Sequence, residues 1–170
     1  MYFRPFLIPC QKMIRPSNMI AVSATVSITR PPELVFNVLS DVERYLASWA
    51  DGPVAATKAT PGPTQIGSVF VITAKAGLMR ISYRYEILGW EPPTRLLGRG
   101  VVGPVRFEVE YWLQNVAGST DLEQSIRANL SGPFRLAKRV VQNRLRRQVV
   151  LELDRLRTLV ETLHPRSDQA

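Results

Sequence analysis

The 170-residue chain predicts an α+β domain, with one dry face of an antiparallel sheet covered by a long C-terminal helix. Three observations carry this. From Pro133 to Leu163 apolar residues recur every three or four positions: Phe134, Ala137, Val141, Leu145, Val149, Leu153, Leu156, Val160 and Leu163. That is one stripe on a helix of about 45 Å, at about 1.5 Å per residue. Between Gly67 and Leu130, alternating apolar and polar segments are separated by glycine or proline turns, the pattern of strands joined as hairpins. One face of those strands carries no charge, so it and the helix stripe need each other as cover.

Taken in order, residues 1–18 contain three prolines and an apolar run too short to span a membrane. They lack the long apolar centre and cleavage site of a signal peptide. The expectation is a disordered extension, or an upstream start codon with Met19 as the natural beginning, and a cytoplasmic protein. Met19 to Thr29 alternates as a strand (Ile20, Val22, Ala24, Val26, Ile28). Pro31-Pro32-Glu33 opens a short helix. Asp41 caps a second one ending near Trp49, and Asp51-Gly52-Pro53 breaks it. Val54 to Thr60 reads as a strand, and Pro61-Gly62-Pro63 as a loop.

The remaining strands have registers that their turns predict. A turn at Ala76-Gly77 pairs Ala74 with Met79, Ile72 with Ile81 and Phe70 with Tyr83. Past Glu91-Pro92-Pro93-Thr94, the faces match if Trp90 opposes Arg95. A turn at Val102-Gly103 sets Gly98 against Phe107 and Leu96 against Val109. A turn at Ala117-Gly118 pairs Leu113 with Leu122, Tyr111 with Gln124, Val109 with Ile126 and Glu108 with Arg127. A one-residue slip in any of these would turn the apolar set to solvent. The domain is expected over 19–163, with 164–170 a flexible tail.

Composition narrows the chemistry. One cysteine (Cys10) and one histidine (His164, in the tail) exclude a disulfide framework and a Cys-based zinc cage. They also leave little for nucleophilic catalysis, and no metal or cofactor is implied. The net charge of +8 is localised: residues 19–130 hold ten basic and ten acidic residues, whereas 131–170 hold nine basic and four acidic. The excess is concentrated in Arg135, Lys138, Arg139, Arg144, Arg146 and Arg147. It fits a solvated helix face first, and attraction to an anionic membrane surface or acidic ligand second. Nucleic acid comes last, because no aromatic residues interleave with the basic run.

The inferred dry face carries two features beyond a simple core. Gly98 and Gly100 point inward in mid-strand, where glycine supplies no packing volume. Tyr83, Tyr85, Tyr111 and Gln124 also point inward, each with polar atoms needing partners. Either the glycines permit sheet curvature and the tyrosines bond to the helix, or the set lines a small-molecule cavity. The candidate ligand-binding residues are Trp49, Phe70, Tyr83, Tyr85, Gly98, Gly100, Phe107, Tyr111, Gln124, Phe134 and Val141.

The element order, together with ITRPPELVFNVLSDVERYLASW, the glycine in QIGSVF, EILGWEPPTRLLGRG and LELDRLRTLVE, resembles the START-like (SRPBCC, Bet v 1-like) superfamily. Within it, residues 19–163 resemble the polyketide cyclase/dehydrase and lipid-transport group. The resemblance implies a helix-grip fold, a curved antiparallel sheet of six to seven strands around the C-terminal helix, with two short helices after the first strand. It also implies binding or transfer of a lipid-like or polyketide ligand. The alternative it carries is a cyclase or dehydrase acting on that ligand. Acid–base work needs a group titrating near neutral pH, and the sheet face offers only tyrosines and an amide. Binding is therefore the expectation, with no catalytic residue named.

Overall fold

A computed structural model of the chain describes residues 18–47, 55–76 and 79–163. The residues expected to form the N-terminal extension and the tail, and Trp49, lie outside the described residues, Asn18 excepted. Strand β1 (Met19–Ile28) leads into helices α1 (Pro32–Ser40) and α2 (Val42–Ala47). Six further strands follow: β2 (Ala55–Lys58), β3 (Val69–Ala76), β4 (Met79–Glu91), β5 (Arg95–Val102), β6 (Val105–Val116) and β7 (Ser119–Asn129). A 3₁₀ turn at Gly132–Arg135 precedes the final helix α3 (Lys138–Thr162). The strands form one seven-stranded antiparallel sheet in the order β1-β7-β6-β5-β4-β3-β2. No described helix is long and apolar enough to cross a membrane.

Alternation sets which face is dry. On β7, Leu122, Gln124, Ile126 and Ala128 are buried while Glu123 and Arg127 face solvent. On the wet face, charges pair across strands: Arg95 with Glu110 at 2.8 Å and Arg99 with Glu108 at 3.1 Å. The dry face meets α3 through Val149, Leu153, Leu156 and Val160, all fully buried. Glu161 at the helix end accepts the Thr29 backbone N–H at 2.9 Å and the Thr29 hydroxyl at 2.8 Å. Arg30 Nη2 donates to the Glu161 carbonyl at 2.7 Å, so this end of α3 is fastened to the end of β1. Helix α1 closes the same region with Val35, Phe36 and Leu39, Phe36 meeting Trp90 edge to face at 5.2 Å.

The β6–β7 register is as the sequence predicts: Leu113 opposes Leu122, Tyr111 Gln124, Val109 Ile126 and Glu108 Arg127. Ala117 (φ 50°) and Gly118 (φ 84°) both take the left-handed conformation that a two-residue hairpin turn of the right twist requires. Two other hairpins are displaced by two residues. Phe70 opposes Tyr85, Ile72 Tyr83 and Ala74 Ile81, because Ala76 pairs with Met79 and the turn falls one residue later. Likewise Val102 pairs with Val105, which sets Gly98 against Val109, Gly100 against Phe107 and Leu96 against Tyr111. A two-residue shift keeps every side chain on its face, so alternation alone cannot detect it.

Between β4 and β5, Glu91 rather than Trp90 opposes Arg95. A bulge between Ile87 and Gly89 inserts one residue, which turns Trp90 inward to oppose Leu96 and bends the strand. Helix α3 also starts later than the stripe predicts. Gly132 at φ 60° turns the chain and Pro133 opens only the 3₁₀ turn. No side chain caps Ala137, where the α-helix begins.

Candidate functional site

Between the sheet, α2 and the first half of α3 lies a cavity of about 640 Å³. Tyr45 and Leu46 of α2, Tyr83 and Tyr85 of β4, Leu96 of β5, Phe107, Val109 and Tyr111 of β6, and Gln124 and Ile126 of β7 line it. Val141, Leu145, Gln148 and Glu152 line it from α3. The exposed lining residues are Gly103 and Pro104 of the β5–β6 turn and Gln148 of α3; Val102 and Val105 beside that turn and Val141 and Leu145 on the helix are among the half-buried ones. The mouth therefore lies between that turn and the first half of α3.

The cavity exists because the helix stripe changes character along its length. Its second half is buried against the sheet, whereas Val141 and Leu145 are only partly covered. The glycine notches do not themselves supply the empty volume. A Cβ at Gly98 would lie 2.0 Å from Tyr85 Oη, and one at Gly100 would lie 2.1 Å from the tip of the Phe107 ring. The glycines let these rings lie flat on the sheet, so space remains above them. Phe107 then meets Tyr83 edge to face at 5.7 Å.

The sequence-predicted residues thus separate. Tyr83, Tyr85, Phe107, Tyr111, Gln124 and Val141 line the cavity. Gly98 and Gly100 stand beneath the rings, and Phe70 is fully buried in the core. Trp49 and the side chain of Phe134 lie outside the described residues. Of the basic set, Arg135, Arg139, Arg144, Arg146 and Arg147 are exposed and Lys138 is half-buried, all outside the cavity. Asp41, Glu43 and Arg44, at the start of and within α2, face solvent, and Tyr45 and Leu46 point inward instead.

The sheet face is uncharged as predicted, but the cavity is not. Glu152, only 5% exposed, projects into it from α3. Its Oε2 accepts Gln124 Nε2–H at 3.1 Å, and its Oε1 accepts Gln148 Nε2–H at 2.8 Å. Burial pushes its pKa up to about 7, the two amides and Arg155 opposing the rise. This corrects the expectation that only tyrosines and an amide were available for acid–base work. Gln124, 1% exposed, also reaches Tyr111 Oη at 3.4 Å, and its Oε1 has no hydrogen-bond partner. Burial raises Tyr83 to about 12, with Glu152 adding to it. Burial likewise raises Tyr85 and Tyr111, the latter helped by Tyr45 beside it.

The signal for Glu152 was present in the sequence. It sits three residues after Val149 and four before Leu156, so it shares their arc of the helix. Gln148 precedes it by one turn on the same side. A carboxyl on an apolar stripe marks either a capped salt bridge or a polar group aimed into a cavity. Here the lining contains no lysine, arginine or histidine among the described residues. No group of three or more His, Cys, Asp or Glu side chains among the described residues is placed to hold a metal ion.

The arrangement is an apolar chamber with one polar end. It is suited to enclosing a mostly hydrophobic molecule and moving a proton at one point on it. Solved structures share the fold at low sequence identity. TTHA0849 from Thermus thermophilus superposes with a TM-score of 0.70 at 19% identity, covering 83% of this chain and 97% of its own. The Zhui aromatase/cyclase from Streptomyces sp. R1128 gives 0.70 at 18%, covering 84% and 94%. Ara h 8.0201 gives 0.69 at 13%, covering 85% and 99%. No curated protein matches the chain. The family model described as polyketide cyclase/dehydrase and lipid transport matches residues 19–161. With its seven-stranded sheet gripping a terminal helix, the chain shares the fold of these structures and belongs to that polyketide cyclase/dehydrase and lipid-transport family.

Proposed function

We propose that this protein binds, and passes on, a lipid-like or polycyclic hydrophobic molecule held between the sheet and α3. The observation that carries this reading is the roughly 640 Å³ chamber in which Glu152 is the one charged lining residue among the described residues. Apolar burial at about 25 cal/mol per Å² supplies the affinity, and Tyr83, Tyr85, Phe107, Tyr111, Gln124 and Val141 are its contacts. Solvent extraction of the purified protein followed by mass spectrometry should recover a hydrophobic molecule in stoichiometric amount. Leu145→Trp, which fills the chamber from the half-buried part of α3, should abolish displacement of a fluorescent apolar probe. Unchanged probe binding by a folded Leu145→Trp protein would sink the reading.

The outer surface beside the mouth supports a route for exchange. Leu136 is 95% exposed and Val140 70% exposed, among Arg135, Lys138, Arg139, Arg144, Arg146 and Arg147. Basic side chains around an apolar lip fit an anionic bilayer. Binding to anionic vesicles should fall with salt and with Arg144/Arg146/Arg147→Glu. Vesicle binding indifferent to both removes the membrane from the reading.

A second reading, cyclase or dehydrase action on the held ligand, is favoured by Glu152 alone. A carboxyl titrating near pH 7 is poised to take a proton from carbon between two carbonyls and return it to oxygen. Glu152→Gln should then lower kcat by about a hundredfold or more on a poly-β-ketone, with Tyr83→Phe and Tyr111→Phe as companions. Turnover undiminished in Glu152→Gln would remove the carboxyl from the chemistry.

A further inference from the structure

The polar end of the chamber has a composition of its own. Glu152 and Gln124 come from opposite walls, α3 and β7, and meet at 3.1 Å. Every amide N–H that reaches Glu152 from the described residues comes from Gln124 or Gln148. What remains unmatched is acceptor capacity: the second lone pairs of the carboxylate, and Gln124 Oε1, which has no partner. No cation lines the chamber among the described residues. A buried acceptor left without a donor bears its full desolvation penalty, and a buried carboxylate whose cation, Arg155, stands outside the lining is only partly compensated.

Resting on the binding reading above, we infer that the chamber selects an apolar molecule carrying one hydrogen-bond-donating head, seated against Glu152 and Gln124. Both a hydroxyl and an amine meet this description. A protonated amine matches best, because it alone also brings a positive charge into the chamber, whose described lining holds no cation. The apolar body lies along Tyr83, Phe107 and Val109, and the head enters first. A ligand headed by a carboxylate is rejected, since it would place two anions together.

The groups facing Glu152 keep the pH response simple. They are Tyr83 from β4, Tyr111 from β6 and Arg155 on α3 itself, with Tyr85 beside Tyr83 and Tyr45 of α2 beside Tyr111. Burial holds Tyr83, Tyr85 and Tyr111 neutral well above pH 8, so Glu152 titrates alone in the neutral range. Below about pH 7 it carries its own proton, and so offers a donor head a weaker acceptor and no negative charge. Affinity for a donor-headed ligand should therefore fall as pH drops through 7 and level off above it. A ligand with no donor should show no such loss.

Three shape-matched probes test this: 1-naphthalenemethylamine, 1-naphthalenemethanol and 1-ethylnaphthalene, each titrated at pH 8.0 and pH 5.5. At pH 8.0 the amine should bind roughly tenfold or more tighter than the hydrocarbon, with the alcohol at or between them. At pH 5.5 the amine's advantage should shrink by about tenfold. In Glu152→Gln the amine-to-hydrocarbon ratio should approach one and lose its pH dependence. An alcohol that equals the amine assigns the head to a hydroxyl. If all three bind alike at pH 8.0, or the amine binds weakest, the selectivity is overturned while the hydrocarbon's binding keeps the cavity reading intact. If none binds, the cavity reading fails first. Should Glu152→Gln not fold, an amine preference in the native protein that ignores pH overturns the inference by itself.

Discussion

Glu152 gives the residue scale its clearest consequence. Its pKa in the folded chain is about 7, against an ordinary value near 4.5. The folded state therefore holds a proton between those values that the unfolded chain has released. Stability from this group is full below about pH 4.5 and lost as pH rises through 7, on the order of 3 kcal/mol in all. Glu152→Gln should remove that loss, so its Tm relative to the native protein should rise from pH 4.5 to pH 7.5. A parallel pair of Tm-versus-pH curves would show that the carboxyl is not buried as described. Gly98 offers a second test. Gly98→Ala places a Cβ 2.0 Å from Tyr85 Oη and drives the ring upward into the chamber. It should cost about 1–3 kcal/mol in denaturant melts and weaken binding of an apolar probe. An unaltered melt would mean that the Tyr85 ring does not rest on that glycine.

At the scale of elements, α3 is two devices on one stripe. Leu156, with no exposed surface, sits where the helix is clamped to the sheet. Leu156→Ala should destabilise by about 2–5 kcal/mol. Val141 and Leu145 border the chamber and are half-buried. Val141→Ala should change stability by less than about 1 kcal/mol while shifting the affinity for an apolar probe, a contrast read by pairing melts with titrations. The stripe was legible because a period of three to four residues survives any context. The division was not, since Val141 and Val149 are chemically alike and differ only in what lies opposite. Strand faces were legible for the same kind of reason: a period of two survives a two-residue slip. The β6–β7 hairpin was read to the residue because Ala117-Gly118 is the turn that closes it. At Leu88, the local sign of the bulge that brings Trp90 inside to meet Phe36 is the neighbouring Gly89, since a lone glycine within a strand often marks one. Trp90 is displaced by the need to pack against α1.

For the whole molecule, a chamber of about 640 Å³ means that the empty protein forgoes packing that a ligand would restore. An apolar probe at about 100 times its Kd should stabilise the fold by about 2.7 kcal/mol. For a domain of this length that is roughly 5–10 °C in Tm. The Leu145→Trp protein, with its chamber filled, should show almost none of this shift. An equal shift in both would place the probe elsewhere. The chain alone determined the strand and helix identities and the dry face, and placed on that face five of the residues that border the chamber, because periodicity and turn chemistry are local. Only the tertiary structure decided that the glycine notches are occupied by rings, and that a carboxyl from the helix reaches Gln124 on the sheet. Both depend on the distance between elements far apart in sequence, Glu152 and Gln124 lying 28 residues apart. Whether a side chain ends in solvent, in packing or in a cavity is a property of what stands across from it.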